Sequence, residues 1–226
     1  MSTTSIFHTV DAANKDKNWD LIVDFLDNHN DNRITFYTIK VIIEKTLPIE
    51  AIQNVIITFN FDIHEHRDEL IEHCFEWYNY LALEYFIESG LDIKSDIQNG
   101  RTSYNILKLA AEYLNEDEDD AKIIPVLLKN HIDPNSDNGY AFITAVKLGI
   151  PKLVQIFIDY GIDVKYQIQA LTIAIKKRHI NIVKILIDAG ISVNEITIDP
   201  KPIVNSDVNY LVDIGVDPII LSKMWY

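Results

Sequence analysis

Seven copies of one tripeptide punctuate the chain at nearly constant spacing, and that regularity constrains the fold more than any other feature. The copies are His29-Asn30-Asp31, Asn60-Phe61-Asp62, Gly90-Leu91-Asp92, His131-Ile132-Asp133, Gly161-Ile162-Asp163, Gly190-Ile191-Ser192 and Gly215-Val216-Asp217. Their first residues lie 31, 30, 41, 30, 29 and 25 positions apart. Asp fills the third place in six copies, and Gly or Asn the first in five. A fixed period in the range of roughly 20 to 50 residues means stacked supersecondary units, none of which can bury its apolar face alone. The expectation is a single solenoid spanning 1–226 with no internal linker.

The clearest unit runs from Asn138 to Lys165. Phe142, Ala145 and Val146 share one face at helical spacing. Gly149 suits the left-handed residue that ends a helix, and Pro151 the first turn of the next, where its missing N–H leaves nothing unsatisfied. Leu153, Ile156 and Phe157 are read as facing inward on that second helix, with Val154 and Ile158 flanking. Gly161 stops it, and Asp163-Val164 is read as an extended turn toward the next unit. Residues 169–194 repeat the scheme in register, with Ala174, Val183 and Gly190 each 29 positions beyond Ala145, Val154 and Gly161.

These residues resemble the ankyrin repeat, in which a G-x-T-P-L-H-x-A-A helix is followed by an I-V-x-x-L-L helix and a G-A-D-V-N turn. Asn99-Gly100-Arg101-Thr102-Ser103-Tyr104 is similar to that opening, and Leu127 to Asn135 to that ending. The resemblance implies an all-α, ankyrin-type helical solenoid of about seven degenerate repeats with short turns between them. Residues 1–66 form degenerate N-terminal repeats or a cap, 67–194 the clearer repeats, and 195–226 a degenerate repeat whose closing IILSKMWY serves as the C-terminal cap. The period falls short of the family's roughly 33 residues, which implies shortened fingers. In style the repeats resemble the ankyrin families multiplied in giant DNA viruses of amoebae. The excess of Ile over Leu and of Lys over Arg is read as genome composition.

With 34 acidic residues against 20 Lys and Arg, the formal charge is −14. Such a surface disfavours nucleic acid, whose binding needs clustered cations. One cysteine excludes an internal disulfide framework and points to a reducing compartment. The first 20 residues show neither a basic nor an apolar leader region, and no apolar run approaches the roughly 20 residues that span a bilayer. The expectation is an intracellular, cytoplasmic, monomeric protein.

Little chemistry is legible. The cluster His64, His66, His73, Cys74 offers zinc donors without the usual paired spacing, and Cys74 occupies the small-residue position of Ala145 and Ala174. Asp133 to Asp137 imitates the start of an EF-hand loop, but Asn138 and Thr144 replace the required Gly and Glu. The recurrent Asp is better explained by side chains that bond their own backbone and fix a turn. Five carboxylates at Glu116 to Asp120, inside an insertion near 115–121, make a solvated loop or a receptor for a basic peptide or a metal ion. The helix before it is expected to run through Ala110, Ala111 and Leu114. No phosphate loop, nucleophile elbow or zinc-protease motif is present. No enzyme, cofactor or metal is expected.

The resemblance implies a noncatalytic adaptor or decoy that holds another protein in a concave groove lined by first helices and fingers. The residues that follow the small inward pair are the candidates: Glu76 and Trp77, Lys147 and Leu148, and Lys176, Lys177 and Arg178. Tyr140 and Tyr166 stand near successive fingers. Trp77 is either a binding anchor or a packing residue between helices. The lysines are either a strip that steers an acidic peptide or an ordinary solvated face. One alternative stays open: Leu47-Pro48-Ile49-Glu50 and Cys74-Phe75-Glu76-Trp77-Tyr78 are similar to an F-box, and Leu47–Tyr78 would then recruit a ubiquitin ligase.

Overall fold

The structure, a computed structural model, describes residues 3–29, 31–99, 102–115, 120–191 and Val212. It is all-α apart from one small hairpin among the described residues. The chain divides into two compact units, Met1–Tyr113 with Lys122–Asn130, and Leu114–Ala121 with His131–Tyr226.

Unit 1 holds α1 (Thr3–Asp16), α2 (Asp20–Asp27), α3 (Asn32–Glu44), α4 (Ile49–Phe59), α5 (Arg67–Glu76), α6 (Tyr80–Glu88), the strands β1 (Ile97–Asn99) and β2 (Thr102–Tyr104), α7 (Ile106–Glu112) and α8 (Ile123–Lys129). Consecutive helices pair as hairpins, and helices also pack on their counterparts in the next hairpin: α1 on α3, α3 on α5, α2 on α4, α4 on α6 and α6 on α8. Helices α1 to α4 thus form two such hairpins. Unit 2 holds α9 (Ser136–Leu148), α10 (Pro151–Asp159), α11 (Val164–Lys177) and α12 (Ile180–Asp188). Here α9 pairs with α10 and α11 with α12, while α9 lies on α11 and α10 on α12.

The tripeptide acquires a physical meaning in the caps. Its first residue is left-handed at Asn60, Gly90, His131, Gly161 and Gly190, the conformation that closes a helix and that Gly adopts without strain. The second residue is buried at Phe61, Leu91, Ile132, Ile162 and Ile191. In four of these copies its N–H reaches five residues back into the helix just ended, as in Ile162 N to Phe157 O at 3.1 Å and Leu91 N to Phe86 O at 2.9 Å. The third residue makes the expected turn: Asp31, Asp62, Asp92 and Asp133 accept the N–H two residues on at 2.8 to 2.9 Å. One apolar residue of the second helix recurs four residues before the tripeptide in four copies, Phe86, Leu127, Phe157 and Leu186, all fully buried.

A parallel cap ends the first helices. Ala13, Ile42, Cys74, Ala145 and Ala174 are fully buried, and each carbonyl accepts the N–H five residues on at 2.9 to 3.2 Å. The residue between is left-handed: Lys17, Thr46, Tyr78, Gly149 and Arg178. Only Gly149 advertises this conformation by its residue type.

Several expectations change. Leu153, Val154 and Phe157 form the buried face of α10, whereas Ile156 and Ile158 are half-buried, because the helix buries an i, i+1, i+4 set rather than its whole apolar content. Asp163-Val164 is not an extended turn: α11 begins at Val164, which is 58% exposed. In this repeat helix replaces part of the finger. Thr102–Tyr104 is a strand antiparallel to Ile97–Asn99, with Ile97 opposite Tyr104, and not a helix opening; Asn105 caps α7 instead. Helix α7 ends at Glu112, short of Leu114. Glu116 to Asp119 of the acidic run and the closing repeat with IILSKMWY lie outside the described residues, while Asp120 opens a 3-10 turn.

The strand pair is held by a residue the sequence did not single out. Arg67, the first residue of α5, donates from Nε to Asp92 O at 2.5 Å, from Nη2 to Ser95 O at 2.5 Å and from Nη1 to Asp96 O at 3.3 Å, and it pairs with Asp68. The other Asp68 oxygen accepts the Gln98 N–H at 2.8 Å. One planar cation and its neighbouring carboxylate thereby fix the path from the 92–96 turn into β1.

Candidate functional site

In unit 1 the two candidates lie at the end of α5. Glu76 is exposed, and Trp77 is 38% exposed at the helix C-cap, its ring 6.2 Å from that of His73. His73 is buried between α3 and α5, with Nε2 3.0 Å from Lys40 O and Nδ1 3.3 Å from Glu76 Oε2. Burial, reinforced by the Lys40 ammonium, holds its pKa below the ordinary imidazole value. The Lys40 carbonyl can only accept, so this contact requires the proton on Nε2. Nearby, Tyr113 donates to Glu72 Oε1 at 3.2 Å, and burial together with the charges of Glu72, Glu76 and Glu112 pushes its pKa up to about 12. The surroundings of Trp77 are thus acidic.

The zinc-like cluster has no common centre of contact. His64 is exposed on a turn. His66 stacks on Phe36 and Phe61, with ring centroids 4.1 and 5.4 Å away. Cys74 is fully buried, and burial drives its thiol pKa far up, which removes it as a nucleophile at neutral pH. Leu47 and Cys74 are core residues of unit 1, as the repeat reading of Leu47–Tyr78 requires.

In unit 2 the structure sorts the remaining candidates into two groups at opposite ends of the hairpins. Tyr140 and Tyr166 lie at the finger end. Asp137, Asn138 and Gly139 are all left-handed, so the regular part of α9 begins beside Tyr140, which is 36% exposed. The Tyr166 ring covers Gly139 so closely that a Cβ there would stand 2.9 Å from it, and Lys165 Nζ lies 4.5 Å from the ring centroid. Asn135 ties two successive fingers, accepting the Asp163 N–H at 2.7 Å and donating to Gly161 O at 3.4 Å.

Lys147, Leu148, Lys176, Lys177 and Arg178 lie at the other end, where first helices turn into second ones. At about 1.5 Å per residue, Leu148 is about 12 Å along the helix from Tyr140, and Lys177 about 16 Å from Tyr166. The three lysines and Arg178 are exposed, and Leu148 is half-buried. His179, which the sequence reading passed over, packs on Gly149 and places Nε2 3.4 Å from Lys147 O. An open cleft of about 260 Å³ lies between the 149–151 turn and residues 178–182.

One repeat position changes sign along the chain. Two residues after the buried cap residue of the first helix stand Lys15, Glu44, Glu76 and Glu112 in unit 1, and Lys147 and Lys176 in unit 2. Between residues 131 and 191 there are seven Lys and Arg against five Asp, in a chain whose total charge is −14. The five are Asp133, Asp137, Asp159, Asp163 and Asp188; windows 138–158 and 164–187 contain no carboxylate. Those acid-free windows were the available signal for a basic hairpin-turn end.

These hairpins, with small buried residues in the first helix and capped turns at both ends, define a helical-repeat architecture of the ankyrin type. Residues 107–197 match the family model for ankyrin repeats, in three copies. No curated protein and no solved structure matches the chain. Ankyrin repeats are protein-interaction modules, and no helix among the described residues is long and apolar enough to cross a membrane.

Proposed function

We propose that this chain is a noncatalytic adaptor or decoy that binds a partner protein through exposed side chains on its first helices and turns. The observation that supports this most directly is the division within each hairpin. Phe142, Ala145, Val146, Leu171 and Ala174 close the interior, while Tyr140, Lys147, Lys176 and Lys177 are exposed on the same first helices. In unit 1, Trp77 is the anchor, an aromatic at a helix end with the buried His73 beside it. The reading of 1–226 as one repeat array rests on the register of the tripeptide. A single buried cysteine fits a reducing cytoplasm, and the degenerate, Ile- and Lys-rich repeats fit a viral ankyrin family acting in a host cell.

Affinity capture with mass spectrometry tests the proposal, with wild type set against two folded variants, Trp77→Ala and Lys147→Glu/Lys176→Glu/Lys177→Glu. A partner retained by wild type and lost from either variant supports the adaptor reading and assigns the surface. Identical partners on all three chains refute these surfaces, and no partner on any chain refutes the adaptor itself.

A further inference from the structure

We infer that the hairpin-turn end of unit 2 is a docking surface for an acidic, partly apolar segment of a partner protein, separate from the finger end. The inference rests on the interaction-module reading and names the partner's chemistry at one of its surfaces. Lys147, Lys176, Lys177 and Arg178 are exposed there, and Lys152 follows on the first turn of α10. All five carboxylates of residues 131–191 fall elsewhere, beside the fingers or at the ends of α10 and α12. Helix geometry supplies the separation: in an antiparallel hairpin, the turn after a first helix and the turn after a second helix lie at opposite ends.

A lysine in the last turn of a helix is ordinarily explained by the helix dipole. That explanation does not account for this surface, because α3, α5 and α7 carry Glu44, Glu76 and Glu112 at the corresponding position, against their dipoles. With Lys15 at that position in α1, the sign varies from hairpin to hairpin, so the position follows no general rule of the fold, and both first helices of unit 2 carry Lys there. Apolar surface accompanies the charge: Ile180 is 44% exposed, and Leu148 is half-buried at the end of α9. Cations bordering apolar side chains fit a peptide with carboxylates and apolar residues better than a phosphate backbone, which the formal charge of −14 also repels.

The test uses the full chain and two labelled probes of matched charge, a decaglutamate peptide flanked by two leucines and a single-stranded oligothymidylate, read by fluorescence anisotropy. Wild type is expected to bind the peptide, and Lys147→Gln/Lys176→Gln/Lys177→Gln to weaken that binding about tenfold, since three exposed charges each contribute modestly. Raising salt from about 50 to 300 mM is expected to weaken wild-type binding similarly, because exposed charges are screened over a few ångströms at the higher value. Lys165→Gln, which removes one exposed charge at the finger end, is expected to leave the affinity within about twofold. Circular dichroism of each variant excludes unfolding as the cause, and the salt series on wild type tests the surface without any substitution. Tighter binding of the oligonucleotide would overturn the inference in favour of a phosphate reader. Salt-dependent self-association without a probe would overturn it in favour of a second copy of this chain. Equal peptide binding by wild type and the triple variant, or none by wild type, would also overturn it, while the adaptor reading would still stand or fall on the capture experiment.

Discussion

Arg67→Met removes the guanidinium that holds the 92–96 turn while keeping most of the aliphatic stem. Arg67 is 16% exposed at its side chain and bonds three carbonyls, of Asp92, Ser95 and Asp96. A hydrogen bond to a charged group contributes roughly 1.5–3 kcal/mol when its partner is left dry. These carbonyls lie in an exposed turn and regain water, so about 1 kcal/mol each is the better value. The expected loss is about 3 kcal/mol, equivalent to about 6–12 °C in Tm for a chain of this size. Urea unfolding followed by circular dichroism measures the total, and hydrogen exchange at residues 92–99 localises it. Arg67→Lys is expected to recover less than half, because an ammonium lacks the planar fork that spans three acceptors. A Met variant within about 0.5 kcal/mol of wild type, with unchanged amide protection in β1, would refute the clamp.

Asn79 is buried, donating to Ile43 O at 3.1 Å and accepting the Ala82 N–H at 3.0 Å, so it caps α6 and ties it to α3. Asn79→Asp keeps the cap but places a carboxylate against that carbonyl; a loss of about 2–3 kcal/mol in urea unfolding is expected, and stability equal to wild type would contradict the tie. Gly149 has φ +78° and would place a Cβ 2.7 Å from His179, whereas Gly90 has φ +94° and open space around it. Gly90→Ala should therefore cost about 1 kcal/mol and Gly149→Ala about 2–3, with His179→Ala restoring only the difference; equal losses at the two glycines would remove the steric argument. Because His73 is held neutral when folded and titrates near its ordinary 6.5 when unfolded, its contribution is complete above about pH 6.5 and declines as pH falls toward the lowered folded value. His73→Gln, which can still donate to Lys40 O, should flatten the stability profile below about pH 6.5, and an unchanged profile would locate the acid sensitivity elsewhere.

Local chemistry was legible wherever one residue type suffices. Asp31, Asp62, Asp92 and Asp133 make their turns with their own backbone, so the recurrent Asp carried its structural meaning in the sequence. Gly161 and Gly190 marked helix ends because glycine adopts the left-handed form freely, and Cys74 was placed in the core by its register with Ala145 and Ala174. The same left-handed cap went unread at Lys17, Thr46, Tyr78 and Arg178, because these residues accept the strain only where the next residue's N–H is captured by the preceding helix. Sequence pattern likewise could not tell Leu153 and Val154 from Ile156, since all are apolar and only the neighbouring hairpins decide which side is covered.

The candidate site shows the same division. Its residue types, an exposed Trp, two tyrosines and a run of Lys and Arg, were chosen from register alone. Their grouping was not, because distance along a repeat does not say which end of a hairpin a side chain occupies. The early start of α11 at Val164 and the left-handed run Asp137 to Gly139 set the tyrosines at the finger end and the cations at the turn end. The sequence by itself determined the period, the Gly and Asp caps and the small core positions, because those depend on contacts within a few residues. Tertiary structure alone decided the Arg67 clamp, the neutral buried His73 and the gathering of basic side chains, because each depends on atoms that are distant in sequence and adjacent only once the hairpins stack.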